Sequence, residues 1–293
     1  MGRTLNAGEA ITAAITELVR RFDESEGAAL AGLPDGVHQH RTAVRRLRSV
    51  LKVFGDLYDP FAVKHLRTLL KEWGSALGVV RDHEVAADLV DDLSSEVSAA
   101  TIDDRIADRL VQPERKAASI SHRRVAEIHQ LKRMEEMRRL LHAFASDPPY
   151  SPAAAAPADS IRSTITKTAR VVLRKSRHME RSLEDRHMLR KRARRLRHAV
   201  EAVTTDPPGL FGGRMRRVGK IAKRMQSELG DHRDSVLLTK RVERARLLAG
   251  RAGEEVGPYD ELAGAAQALA EDRVRRLWTE RRKLAKAVDA VEG

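Results

Sequence analysis

The chain has 293 residues, 42% of them hydrophobic, with 55 Lys and Arg against 42 Asp and Glu and a formal net charge of +13. That length builds one large domain or two of average size, and the excess of cations favours an anionic partner such as nucleic acid, polyphosphate or an acidic membrane surface. The lack of cysteine excludes disulfides, thiolate metal sites and cysteine nucleophiles, with cytoplasm as the default compartment.

The N-terminus, Met1 to Asn6, carries no apolar signal-peptide stretch, and Asn6 breaks the myristoylation pattern. No apolar run reaches the roughly 18 residues that a bilayer-spanning helix needs, so no membrane partner is expected. Aromatic residues are 3% of the chain, and period-two alternation is missing, while apolar residues recur at three- and four-residue steps. This pattern predicts an all-α protein of about eight to ten amphipathic helices. Boundaries are expected at Gly32-Leu33-Pro34-Asp35-Gly36, from Gly55 to Pro60, at Leu77-Gly78, and at Asp206-Pro207-Pro208-Gly209. From Ser146 to Asp159, four prolines in fourteen residues forbid a continuous helix. The expected organisation is therefore a first helical repeat over 1–145, a Pro/Ala-rich linker over 146–159 and a second helical repeat over 160–293.

The two halves share a motif. His38, Arg41, Arg45, Arg46, Leu47 and Arg48 return as His187, Arg190, Arg194, Arg195, Leu196 and Arg197, each at an offset of 149 (187 − 38). Downstream, Leu77-Gly78-x-x-Arg81-Asp82 returns as Leu229-Gly230-x-x-Arg233-Asp234, at an offset of 152 (229 − 77). On a helical wheel His38, Arg41, Arg45, Arg48 and Lys52 fall within an arc of roughly 80°, opposite Val44, Leu47, Leu51 and Phe54. His187, Arg190, Arg194 and Arg197 line the matching arc opposite Leu189, Leu196, Val200 and Val203, with Glu201 in place of Lys52. Arg46 and Arg195 lie at the edge of that face. A second stripe follows in each half: Lys64, Arg67 and Lys71 opposite Leu66, Leu70 and Trp73, then Arg216 and Lys223, with Lys220 nearby, opposite Val218, Met225 and Leu229. If each half is an antiparallel bundle, the two basic stripes flank a common groove.

Most charged helix faces are solvated and balanced by neighbouring acids. Here Gly36–Gly55, Ser160–Met179, Arg186–Val200 and Pro207–Ser227 contain no Asp or Glu, so these segments repel themselves unless other helices or a ligand compensate. That favours anion binding. In the Leu-Gly-x-x-Arg-Asp element, Gly78 and Gly230 read as helix ends, with Asp82 and Asp234 as caps of the next helix. Arg81 and Arg233 reach either the same anion or an acidic residue in the turn. A metal site at His38 with His40, or His187 with His198, is disfavoured, because no paired carboxylate or HExxH arrangement accompanies them. His38 and His187 instead donate to phosphate or to a neighbouring backbone group.

The duplicated His-x-x-Arg, Arg-Arg-Leu-Arg and Leu-Gly-x-x-Arg-Asp elements resemble the signature of the CHAD family, the conserved histidine α-helical domain, from about Leu5 to Val288. The resemblance implies two four-helix-bundle repeats related by a pseudo-twofold axis and packed around a basic central groove. It also implies that His38, Arg41, Arg45, Arg46 and Arg48, with His187, Arg190, Arg194, Arg195 and Arg197, face inorganic polyphosphate, and that the protein associates with polyphosphate granules. Some members add a CYTH domain with a Glu-x-Glu-x-Lys motif; this sequence has no such motif and resembles a stand-alone module. The expected function is non-catalytic polyphosphate binding without a cofactor. Its rivals are backbone-directed nucleic-acid binding, a metal-dependent phosphohydrolase, for which neither GxxxxGK[ST] nor a convincing acidic pair is present, and a scaffold docking an acidic protein.

Overall fold

A computed structural model describes residues 5–96, 104–205 and 207–292; the side chains of 89–96 and 104–108 are outside that description, as are Met1 to Thr4 of the N-terminal reading and Asp206 of the expected turn. The protein is all-α. Among the described residues the helices are α1 (Ala7–Leu30), α2 (Gly36–Val53), α3 (Pro60–Glu96), α4 (Asp104–His129), α5 (Lys132–Ser146), α6 (Ile161–Ser176), α7 (Leu183–Thr204), α8 (Gly213–Arg251) and α9 (Gly257–Glu292).

Local chemistry accounts for several boundaries. The Asn6 side chain accepts from the Glu9 amide at 2.9 Å while the Glu9 carboxylate accepts from the Asn6 amide at 3.0 Å, a reciprocal cap that starts α1. Ser182 starts α7 by accepting from the Asp185 amide at 3.0 Å. Gly36 opens α2 where a Cβ would lie 2.6 Å from the Ala28 carbonyl oxygen, so only glycine allows the turn to close this tightly on α1. The chain between α4 and α5 breaks at Leu131, whose backbone is extended, so the returning arm of the first half is two helices where the second half has the single α9.

Residues 147–160 hold two short 3-10 turns, Pro152–Ala155 and Ala158–Ser160. They are tied down by Ala7 N–H to the Ala156 carbonyl at 2.8 Å, Asp59 N–H to Pro149 at 2.7 Å, and Ser151 N–H to Leu57 at 3.0 Å.

The inward residues of the basic helices are buried as their periodicity predicts: Val44, Leu47, Leu51 and Phe54 on α2, and Leu189, Leu196, Val200 and Val203 on α7. They join one continuous apolar core running through both halves. A second cluster, built from Ala87 of α3, Leu110 and Val111 of α4, Leu238 and Val242 of α8 and Tyr259 and Leu262 near the start of α9, ties together the far ends of the long helices. α2 and α7 pack directly on each other. There the buried His198 ring meets the Ser49 hydroxyl at 3.0 Å and the Arg45 carbonyl at 3.3 Å through Nδ1.

His40, two residues after His38, is a core histidine. Its Nε2 accepts from Trp73 Nε1–H at 2.8 Å and its Nδ1 faces the Ser25 hydroxyl at 3.0 Å. Burial first, and then the neighbouring His129, push its pKa down to about 4, partly opposed by a hydrogen bond to the Phe22 backbone. Nε2 must stay unprotonated to accept from Trp73. The unfolded chain takes up this proton near the ordinary value of about 6.5, so the contribution is complete above that pH and is lost as pH falls toward 4. The loss expected at about pH 4 is roughly 3 kcal/mol. Denaturant titrations between pH 7 and 4 should show that decline, with a shallower slope for His40→Asn; an unchanged slope in the variant would assign the acid sensitivity to other groups.

Candidate functional site: an arginine cleft between the basic helices

α2 and α7 bring their repeated arginines together, and α3 and α8 close over one end. The resulting open cleft, with an empty volume of about 620 Å³, is lined by His38, Arg41 and Arg45 from α2, Arg81 and Asp82 from α3, Arg190 from α7, and Arg233, Asp234 and Arg241 from α8. Six arginines thus face two aspartates. Asp82 accepts from Arg233 at 3.4 Å and stands 3.7 Å from Arg41. Arg81 pairs with Glu84 at 3.1 Å and Asp88 at 3.6 Å on its own helix, and Arg241 donates to Glu114 at 2.7 Å.

These acids leave much of the charge uncompensated. The Nε–H groups of Arg41, Arg45, Arg190 and Arg194 are buried and meet no acceptor. Burial, followed by the guanidinium groups of Arg194, Arg41, Arg190 and Arg197, holds Arg45 well below the ordinary arginine value. Arg194 is lowered in the same way by burial and then by Arg190, Arg48, Arg41 and Arg195. Guanidinium does not release its proton in a protein, so the lowering reflects positive charge crowded and partly desolvated without enough counter-charge. An anion in the cleft relieves that repulsion and supplies the missing acceptors.

The expectation that Leu77-Gly78 ends a helix and that Asp82 and Asp234 cap the next is corrected. α3 runs unbroken from Pro60 to Glu96 and α8 from Gly213 to Arg251, with both glycines inside them. A Cβ on Gly78 would lie 3.4 Å from Arg41 Nη2, and one on Gly230 would lie 2.8 Å from Arg190 Nη2 and 3.1 Å from its Nε. The missing side chains leave room for two guanidinium groups flat against the helix backbones. One turn further along, Asp82 and Asp234 enter the cleft. Burial raises the Asp234 pKa, partly opposed by Arg190 and Arg233.

Other predicted site residues fall around this centre. Arg48, Arg67 and Arg195 are half-buried neighbours beside the α2–α7 contact: Arg48 is lowered by burial and then by Arg67 and Arg195, and Arg195 by burial and then by Arg192 and Arg67. Arg197 and Arg46 share a carboxylate, since Glu201 accepts from Arg197 at 2.6 Å and stands 3.6 Å from Arg46. Arg46 lines a separate cavity with Ala14, Glu17, Arg21 and His198. The structure therefore does not bring Arg46 into the cleft. Glu201 does more than remove a cation at the position of Lys52; it balances these two arginines. Lys52, Lys64, Lys71, Arg216, Lys220 and Lys223 are exposed on α2, α3 and α8 and do not line the cleft. His187 sits in an adjoining pocket with Arg190 and Arg233. Burial lowers both His38 and His187, helped by Arg81 at His38 and by Lys191 and Arg233 at His187.

Two cations escaped the sequence reading. Lys191 is lowered by burial and then by Arg194, Arg195 and Arg48, which sets it among the repeated arginines, and Arg241 lines the cleft. Neither has a basic counterpart in the first half, where Thr42 and Leu89 stand at the corresponding offsets, so a search keyed to the repeat passes over them. Of the aromatic residues, Trp73 and Phe54 are buried while Phe61 at the start of α3 is exposed, and Trp278 donates to Glu180 at 2.6 Å. Among the described residues no three His, Asp or Glu side chains stand close enough to hold a metal ion, and no helix is long and apolar enough to cross a membrane.

Fold and site together define an all-helical bundle protein with a basic central cleft. The chain belongs to the CHAD family: the CHAD domain profile matches residues 13–243. Two curated relatives are the uncharacterized protein Rv2226 of Mycobacterium tuberculosis strain H37Rv and the uncharacterized protein MT2285 of strain CDC 1551. Each is 29% identical over 287 residues, covering 94% of this chain and 53% of the relative, so the chain spans about half the length of these relatives. Among solved structures, the CHAD domain from the plant Ricinus communis aligns with a TM-score of 0.71 at 21% identity, covering 96% of this chain and 93% of that one. PptA from Streptomyces chartreusis aligns at 0.66 and 17% identity, covering 96% and 99%. At these identities the likeness is one of fold.

Proposed function

We propose that the protein binds inorganic polyphosphate without chemical turnover, seating the chain in the arginine cleft and extending it along the half-buried arginines of α2 and α7. The observation that carries this reading is the set of buried, acceptorless Nε–H groups on Arg41, Arg45, Arg190 and Arg194. Planar guanidinium groups match the spacing of two phosphate oxygens, whereas lysines supply point charge. Arg48, Arg67, Lys191 and Arg195 continue the basic surface beyond the cleft, and the exposed lysines of α2, α3 and α8 provide a looser outer field. A linear anion of repeating phosphates engages these positions in series, so affinity rises with chain length and falls with salt as counter-ions are released. Such binding would hold the protein at polyphosphate granules.

Nucleic acid draws on the same charge, and although Trp73 and Phe54 are buried and offer it no stacking surface, competition has to separate the two polyanions. The test is a titration with long-chain polyphosphate at near-physiological salt, with single-stranded and duplex DNA as charge-matched competitors. It is repeated on the variant carrying Arg45→Glu, Arg48→Glu, Arg194→Glu and Arg197→Glu. Length-dependent binding that survives excess DNA and disappears in the variant is the expected result. Equal displacement by DNA would reduce the site to a general basic surface, and undiminished binding by the variant would place the site elsewhere.

A further inference from the structure

Beside the arginine cleft lies a second pocket of different character. It is formed between the first turns of α7 and the middle of α8, with an empty volume of about 810 Å³. Leu183, Leu229, Val236 and Leu237 supply apolar walls, and the flat rings of His187 and His232 are set among them. Arg190, Arg233 and Leu237 line both this pocket and the cleft, so the two adjoin at these side chains. The guanidinium of Arg190 stands at the junction with its buried Nε–H unpaired, and Arg186 on the pocket side has an unpaired buried Nε–H as well. An inorganic phosphate chain has no use for the apolar walls. A ligand with phosphates at one end and a flat, weakly polar group at the other would fill both spaces.

We propose that this pocket is a base subsite, and that the protein binds nucleoside triphosphates with the phosphates in the arginine cleft and the base between α7 and α8. The base would lie between the His187 imidazole and Arg186 guanidinium of α7, side chains that stack on any nucleobase, and Val236, Leu237 and the edge of His232 on α8. Burial holds both His187 and His232 toward the neutral form, which suits them to face a base. The leucine at position 183 is 47% exposed at the start of α7, an apolar rim that the base would cover. The inference rests on the cleft being the phosphate seat, and the experiment separates the two.

Calorimetric titrations of the full chain would compare ATP with inorganic triphosphate, both without divalent cation. The inorganic ion carries no less charge, so any advantage of the nucleotide comes from its nucleoside. The expected result is tighter binding of ATP by roughly tenfold, the scale of one stacked base, with the advantage removed by Val236→Trp, which fills the pocket, while triphosphate binding is unchanged. Leu183→Gln, at an exposed helix start where folding is not at stake, should reduce the advantage in the same direction. Equal affinities for ATP and triphosphate, or an advantage that survives both substitutions, would overturn the base subsite and leave the polyphosphate reading standing. Failure of both ligands and of long-chain polyphosphate to bind would remove the cleft reading and this inference with it.

Discussion

Replacing Arg45 and Arg194 together by methionine is expected to make the free protein more stable and to remove most of its affinity for polyphosphate. Both side chains are half-buried on facing helices, both bury an Nε–H with no acceptor, and both are lowered by burial and then by neighbouring guanidinium groups, Arg194 first among them at Arg45 and Arg190 at Arg194. An unsatisfied buried donor costs about 1–3 kcal/mol, and exchanging crowded buried charge for apolar groups of similar length is commonly neutral or stabilising. The pair should gain on the order of 1–3 kcal/mol, seen as a rise of a few degrees in thermal midpoint. Binding moves the other way, because charge-assisted hydrogen bonds contribute about 1.5–3 kcal/mol each. Losing two sets should weaken polyphosphate by a hundredfold or more on that order of magnitude. A polyphosphate concentration that saturates the unmodified protein should raise its midpoint well above the small rise of the variant. A variant that melts lower than the parent would mean that these arginines hold α2 against α7, and the binding argument would lose its premise.

Gly230→Ala should separate helix stability from ligand affinity at a single methyl group. Gly230 sits inside α8, where alanine is favoured over glycine by about 0.8–1 kcal/mol. The new Cβ would lie 2.8 Å from Arg190 Nη2 and 3.1 Å from Nε, too close for the guanidinium to stay. Because the displaced atoms are the end of a flexible side chain, the helix stays intact and Arg190 moves. Chemical denaturation should therefore show equal or higher stability, while polyphosphate affinity drops by roughly tenfold, the cost of one displaced charged contact. The corresponding change at Gly78 is milder, since the nearest Arg41 atom is 3.4 Å away. Unchanged affinity in Gly230→Ala would mean that Arg190 does not need its present position to bind.

Much of this protein is set by features that act along the chain. Helical periodicity alone separates the buried Leu47, Leu51, Leu189 and Leu196 from the arginines, because successive residues turn by about 100° and only one side of the helix can meet a core. The repeat identified the two basic helices and the residues on them, and the absence of acids within those segments implied a counter-charge from outside them. The turn and proline signals marked the ends of α1, α2 and α7, where local backbone chemistry decides.

Contacts between distant segments decided the rest. Glycine inside α3 and α8 looked like a helix end, since propensity counts its cost and cannot see the guanidinium that needs the space. Arg45 and Arg46 are adjacent in the sequence, yet one enters the cleft and the other turns to Glu201, because α1 and the later turns of α7 pack together on the side of α2 that Arg46 faces. Lys191 and Arg241 have no partner in the repeat and reach the site only through the packing of α7 and α8. Sequence therefore determined which helices carry the charge, whereas tertiary structure decided which charges face one another without an acid between them, since burial and opposition of guanidinium groups exist only once α2, α3, α7 and α8 are packed.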